Sequence, residues 1–202
     1  EYEFAEEIHK EILKYLSKTD INVDYDYQLR DLYEILVAKY FRNIWQDLSK
    51  ALLNDNTSSF YLRLKDLLGV SAINETPVLF KRDHTDEFLL WCEKNPAMAP
   101  QRLVDLMPVT TDNKVFTPLL LKILDKYGNQ EDVLIALENN LGTFAVTGSA
   151  IPLFENQISM LSTLTKHSNS KVREWANKQI AYLRNCIVND KTVETEFWAK
   201  YK

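Results

Sequence analysis

The sequence predicts an all-α fold: an N-terminal helical subdomain followed by a solenoid-like stack of antiparallel helical hairpins. Three observations predict it. Apolar residues recur at helical spacing through most of the 202 residues. Glycine is scarce, with four in the chain (Gly69, Gly128, Gly142 and Gly148), and a barrel or sandwich of this length needs more of them in its turns. The turns between periodic segments are short and hold Pro, Gly or Asn, as they do between neighbouring antiparallel helices.

Residues 3–18 read as an amphipathic helix, with Phe4, Ile8, Ile12, Tyr15 and Leu16 at helical spacing. Its first turns are acidic (Glu3, Glu6, Glu7), which suits the positive end of the helix dipole. A second helix is expected over 27–53, one face marked by Leu29, Leu32, Leu36, Tyr40, Ile44, Leu48 and Leu52, with a break near Arg42-Asn43. The run Asn54 to Ser58 signals a loop. A shorter helix over 58–68 follows, and Gly69 stands where a helix-ending glycine belongs. Residues 70–84, with Pro77 among them, read as an irregular connection.

Helices are then expected over 85–94, 98–107, 116–127, 130–141, 152–166 and 170–188. Asn95-Pro96, Pro108 with Asp112-Asn113, Gly128-Asn129, Gly142 to Ser149, and Ser168-Asn169 separate them. Six helices with short turns make three hairpins, spaced in the range of helical repeats. The expected organisation is a subdomain at 1–69, a connecting segment at 70–84, hairpins at 85–188, and a charged tail or helix extension at 189–202.

Composition narrows the function. The net charge is −5 and the pI about 5.3, against the basic surface that phosphate neutralisation requires of a nucleic-acid binder. No apolar run approaches the roughly 20 residues that span a bilayer. Cys92 and Cys186 sit among apolar residues, as buried free thiols would, which fits a reducing cytoplasm. The chain opens Glu-Tyr-Glu-Phe without Met, and the expectation is a segment of a longer protein.

The segment from His167 to Ile187 carries the most specific pattern. Asn169 is placed to cap a helix. Val172, Ala176, Ile180, Leu183 and Ile187 form one stripe with Trp175 beside it, and Ala176 is small where a neighbouring helix would cross. A polar turn with Asn, then Val172-Arg173, then Ala176, Ile180 and Leu183 resembles the second helix of a HEAT repeat. The two preceding hairpins lack the Val-Arg pair and would be degenerate repeats. More widely, the blocks at Phe88–Glu93, Leu124–Gly128, Asn140–Phe144, Gly148-Ser149 and Val172–Ala176 resemble the helical C-terminal regions of large bacterial proteins. That resemblance implies a scaffold or sensor region; it implies no activity.

Among candidate sites, the loop Gly142 to Ser149 is the least ordinary. Thr143, Thr147 and Ser149 offer hydroxyls, and Phe144 is the apolar member. No Lys follows Gly148, so it is not a P-loop, and Ser149 lacks the flanking glycines of a nucleophile elbow. The loop reads as a ligand or partner loop, or as a turn with Phe144 plugging the core. Arg173 reads as an anion ligand or as a donor to a neighbouring carbonyl or carboxylate. His9, His84 and His167 lack zinc-protease spacing. Asp83-His84 with Asp86-Glu87 reads as a solvated helix start more readily than as a metal site. No residues are assigned to catalysis, metal or cofactor.

Trp198, with Tyr201, lies in the charged tail, where burial is hard and docking on another surface is natural. The expected function is a non-enzymatic interaction or scaffold module whose partner is another protein or another domain of a parent chain. The alternative is a nucleic-acid-binding helical-repeat protein on a DNA-glycosylase-like scaffold, motivated by Lys171, Arg173, Lys178 and Arg184 on the last helix. The acidic total counts against it.

Overall fold

A computed structural model describes residues 2–18, 27–54, 59–70, 76–112, 114–142 and 149–199; of Tyr2, Tyr27 and residues 192–199 it describes the backbone. The described residues are mostly α-helical, with one two-stranded hairpin. Their contacts divide the chain into two units, one ending at Pro108 and one beginning at Val109. The division differs from the expected organisation: Val78–Phe80 and the two helices that follow it, Thr85–Lys94 and Ala99–Leu106, belong with the N-terminal helices.

The first unit holds α1 (Tyr2–Leu16), α2 (Tyr27–Ala51), α3 (Ser59–Leu67), a 3-10 turn (Val78–Phe80), α4 (Thr85–Lys94) and α5 (Ala99–Leu106). Helix α1 buries Ala5, His9, Ile12 and Leu16, at the i, i+4, i+7, i+11 spacing of one face. Phe4 and Tyr15, expected on that face, stand at its side, 67% and 46% exposed. In α2 the buried stripe is Tyr33, Leu36, Val37, Phe41, Ile44, Trp45 and Leu48, so that Leu32 turns outward. The helix kinks at Tyr40 (φ −129°, ψ 28°), just before the expected Arg42-Asn43 break. Arg82 donates to the Ala38 carbonyl beside the kink at 2.7 Å, the kind of side-chain intrusion that bends helices.

Gly69 ends α3 as its position predicts. Its φ is +76°, Gly69 N–H donates to Asp66 O at 2.8 Å, and Val70 N–H to Lys65 O at 3.1 Å. This Schellman pair needs a left-handed residue, and a Cβ there would meet the Arg30 guanidinium at 2.4 Å.

A chain of rings ties α2 to the 3-10 turn and α4. Phe41 stacks on Trp45 (5.6 Å between centroids), Trp45 meets Phe88 and Trp91 edge-on (5.1 and 5.3 Å), and Phe80 leans on Phe88 (5.1 Å). Each such pair stabilises by about 0.5–1.5 kcal/mol beyond the area it buries. That is the physical reason the expected seam at 70–84 does not part α4 from α2.

The second unit opens with β1 (Thr110–Thr111) and β2 (Val115–Phe116), antiparallel, with Thr110 opposite Phe116 and Thr111 opposite Val115. Asp112 starts the connection at φ 51°, a conformation that Asp tolerates better than most residues. Thr117 caps α6 (Pro118–Tyr127), its hydroxyl accepting from Leu120 N–H at 3.4 Å, and Pro118 takes the first helical position, where no N–H is needed. Helix α7 (Glu131–Gly142), α8 (Ile151–Leu164) and α9 (Ser170–Ala199) complete the unit.

Of the two forms expected for residues 189–202, a charged tail or a helix extension, the described part takes the second, prolonging α9 to Ala199. Among the described helices, the most extensive pairing is between α8 and α9. They meet across the short turn Thr165 to Asn169, and Ala176 is fully buried, as its size predicts. Cys92 is buried, whereas Cys186, expected inside, is half-buried; both are free thiols.

Candidate functional site

The turn between α8 and α9 is built by its polar residues. Asn169 Oδ1 accepts from Lys171 N–H at 3.0 Å. His167 Nδ1 accepts from Asn169 N–H at 3.1 Å, which leaves the ring proton on Nε2, 3.2 Å from the Asp125 carboxylate of α6. Arg173 Nη1 donates to the carbonyls of His167 and Ser168, both at 2.7 Å. Lys171 reaches the Asn129 carbonyl in the α6–α7 turn at 3.2 Å.

Gly128, in that same turn, has no room for a side chain: a Cβ would meet Val172 Cγ2 and the Leu124 carbonyl oxygen at 2.4 Å. The α8–α9 turn therefore docks on the α6–α7 turn. Arg173 holds its own turn together, and Lys171 also binds a backbone carbonyl, so two of the four cations that motivated nucleic-acid binding are engaged within the fold.

The other sequence candidates scatter. Thr143, Phe144 and Thr147 lie outside the described residues. Ser149 is exposed, and its Oγ accepts from Ile151 N–H at 3.4 Å, at the entry of α8. Trp198 sits in the last turn of α9; its side chain lies outside the described residues.

At Asp83-His84 the carboxylate accepts from Thr85 N–H at 3.0 Å. The imidazole lies flat on Phe41, with 3.5 Å between centroids. Glu87 faces Arg42 at 3.5 Å. Partial burial lowers the His84 pKa, with Glu87 and Asp83 working against it. Among the described residues no three His, Cys, Asp or Glu side chains converge as metal ligands would. No helix among them is long and apolar enough to cross a membrane.

The first unit also buries polar groups that periodicity did not reveal. Tyr61 donates to Asp105 Oδ2 and Lys65 to Asp105 Oδ1, each at 2.8 Å. Arg102, almost wholly buried, lies over the Tyr61 ring at 4.6 Å and donates to the Asn54 carbonyl at 2.9 Å. Arg63 bonds Ser59 and the Lys18 carbonyl, tying α3 to the end of α1. Burial, with the Asp105 carboxylate alongside, raises the Tyr61 pKa far above the ordinary phenol value, so its proton stays on and the network serves as a fixed strut.

His9 is buried against Tyr33, Nδ1 to Oη at 3.1 Å, and its Nε2 has no hydrogen-bond partner. Burial lowers its pKa, opposed by Asp47. An isolated His or Arg on an apolar stripe is the signal that was available for these positions.

Among the described residues, α1 and α9 each present an open apolar surface. On α1, an open groove of about 840 Å³ is lined by Phe4, Ile8, Ile12 and Tyr15 with Leu29 of α2, and rimmed by Glu7, Glu11, Lys10 and Lys18. On α9, burial fades after Leu183, and Tyr182 and Val188 are 63% and 62% exposed. Large exposed apolar side chains grouped within polar rims are the usual mark of a binding face. No protein-family model, curated protein or solved structure matches the chain.

Proposed function

We propose that the chain is a non-enzymatic interaction module whose second unit is HEAT-like and holds another protein, or another domain of a longer cytoplasmic protein. The observation that carries this reading is α9. Its first half is buried against α8, while Tyr182 and Val188 face solvent and the helix runs on to Ala199. Docking of one helical turn on the next, through Lys171, His167 and Val172 onto Asn129, Asp125 and Gly128, is what a stack of hairpins requires. An extended helical surface of that kind suits the binding of peptides or domains.

The test is site-specific photocrosslinking. A benzophenone side chain is introduced in place of Tyr182 or Val188, and the protein is irradiated in extract from its own cells. One discrete crosslinked product from both positions, absent with the probe at the exposed Lys122 of α6, is expected. No product from either position would sink the reading.

A further inference from the structure

We propose that the outer face of α1 is a self-association surface on which the α1 of a second copy lies antiparallel. The inference concerns a different unit from α9 and goes beyond the reading given for it. The apolar part of the groove runs along α1 from Phe4 through Ile8 to Tyr15, beside the stripe that faces the core. Phe4 and Tyr15 stand near opposite ends of the helix, so a twofold axis through its middle seats each beside the other's counterpart.

Charge selects the occupant. The first half of α1 carries Glu3, Glu6 and Glu7; its second half and end carry Lys10, Lys14 and Lys18, with Glu11 between them. A uniformly acidic or basic partner helix matches half of this surface and is repelled by the other half. An anionic bilayer meets a rim on which Glu7 and Glu11 balance Lys10 and Lys18, where an interfacial helix would carry an excess of Lys or Arg. The same helix turned end for end has the complementary order: acids face lysines at both ends, and the two helix dipoles oppose. A parallel pair would set like charges together.

The existing pairs Lys10–Glu6 and Lys14–Glu11 are solvent-exposed and individually weak, so they exchange readily for pairs between copies. Two helices of this length make an interface at or below the low end of specific ones, about 1,200 Å² in total, so the dimer is expected to dissociate at tens of micromolar or above.

Sedimentation velocity of the whole chain, from about 5 to about 500 µM, reads the equilibrium directly. A reversible shift from monomer to dimer is expected, weakened in about 0.5 M salt because the rim charges are exposed. Three variants identify the face, each checked for native helix content by circular dichroism. Phe4→Glu should remain monomeric throughout. Glu7→Lys with Glu11→Lys, and Lys14→Glu with Lys18→Glu, should each be monomeric alone, while a one-to-one mixture recovers a heterodimer.

A wild-type chain that stays monomeric at every concentration overturns the proposal. So does a dimer indifferent to Phe4→Glu, a mixture that fails to recover association, or cosedimentation with phosphatidylglycerol vesicles in place of dimerisation. A monomer that still crosslinks through positions 182 and 188 would remove this inference and leave the α9 reading intact; a dimer that crosslinks nothing would do the reverse.

Discussion

The two units use different materials for their interiors. The unit ending at Pro108 buries His9, Arg63 and Arg102, together with Tyr33, Phe41, Trp45, Tyr61, Phe88 and Trp91. Among the described residues, the unit beginning at Val109 buries mostly aliphatic side chains, with Gln157 as its buried polar residue and Phe116, Tyr127 and Trp175 as its buried rings. Aliphatic packing is tolerant of exchange, whereas ring geometry and buried hydrogen bonds fix one arrangement and penalise others. The first unit should therefore be the more exacting about substitution and about pH. The second depends on close approach between helices and turns.

The severest test strikes the ring cluster. Phe88 is fully buried and meets Phe41, Trp45, Phe80 and His84. Phe88→Ala should remove about 3–5 kcal/mol of stability, measured by urea unfolding. Hydrogen exchange resolved by peptide should locate the loss within residues 76–94 and α2. An equal loss of protection across 109–199 would mean that the two units unfold as one, and the contrast between them would then have no thermodynamic content.

Gly128→Ala should cost about 1–3 kcal/mol, because its Cβ meets a carbonyl oxygen and a buried valine. Faster exchange at the start of α9 is the expected signature. Unchanged exchange there would show that the α6–α7 and α8–α9 turns do not depend on each other.

The smallest effect is the one with pH. His9 and His84, both in the first unit, have folded pKa values below 6.5, chiefly through burial. Below pH 6.5 the unfolded chain takes up protons that the folded unit refuses. Their contribution to stability is thus complete above pH 6.5 and is lost as pH falls from there toward the folded values. Thermal midpoints between pH 7.5 and 5 should decline, and a His9→Gln, His84→Gln variant should decline less. A variant with an unchanged slope would assign the acid sensitivity to other groups.

Helix bounds were legible because they rest on local chemistry. Thr85–Lys94 follows the acid-rich start and the Asn95-Pro96 stop, and Gly69 lies where a left-handed residue is required. Which face of a helix is buried was less legible. In α2 the leucine count favoured Leu32 over Tyr33, yet the tyrosine is buried because its hydroxyl finds His9, twenty-four residues away. The same holds for Arg102 and Tyr61, whose burial depends on partners that spacing along the chain does not reveal.

The division at Pro108 escaped for a related reason: rings far apart in sequence hold α4 to α2, while Pro77 and the irregular run around it imitate a linker. Two-residue strands are too short for any alternation to register. Of the candidate residues, Arg173 closes its own turn, and the side chain of Trp198 lies outside the described residues. The apolar lining of the α1 groove was legible as a helical stripe, Phe4, Ile8, Ile12 and Tyr15, but not that Phe4 and Tyr15 stay open beside Leu29 while Ala5 and His9 take the core side.

The length of α9 has a mechanical consequence. Thirty residues make a rod of about 45 Å, against about 21 Å for the fourteen of α8. A rod clamped along half its length is a lever. A rotation of about 5° within the clamp moves the far end by about 2 Å, enough to make or break a hydrogen bond with whatever is attached there. A load on that end is in turn felt at the clamp, around Ala176 and Gly128, where there is no slack to absorb it.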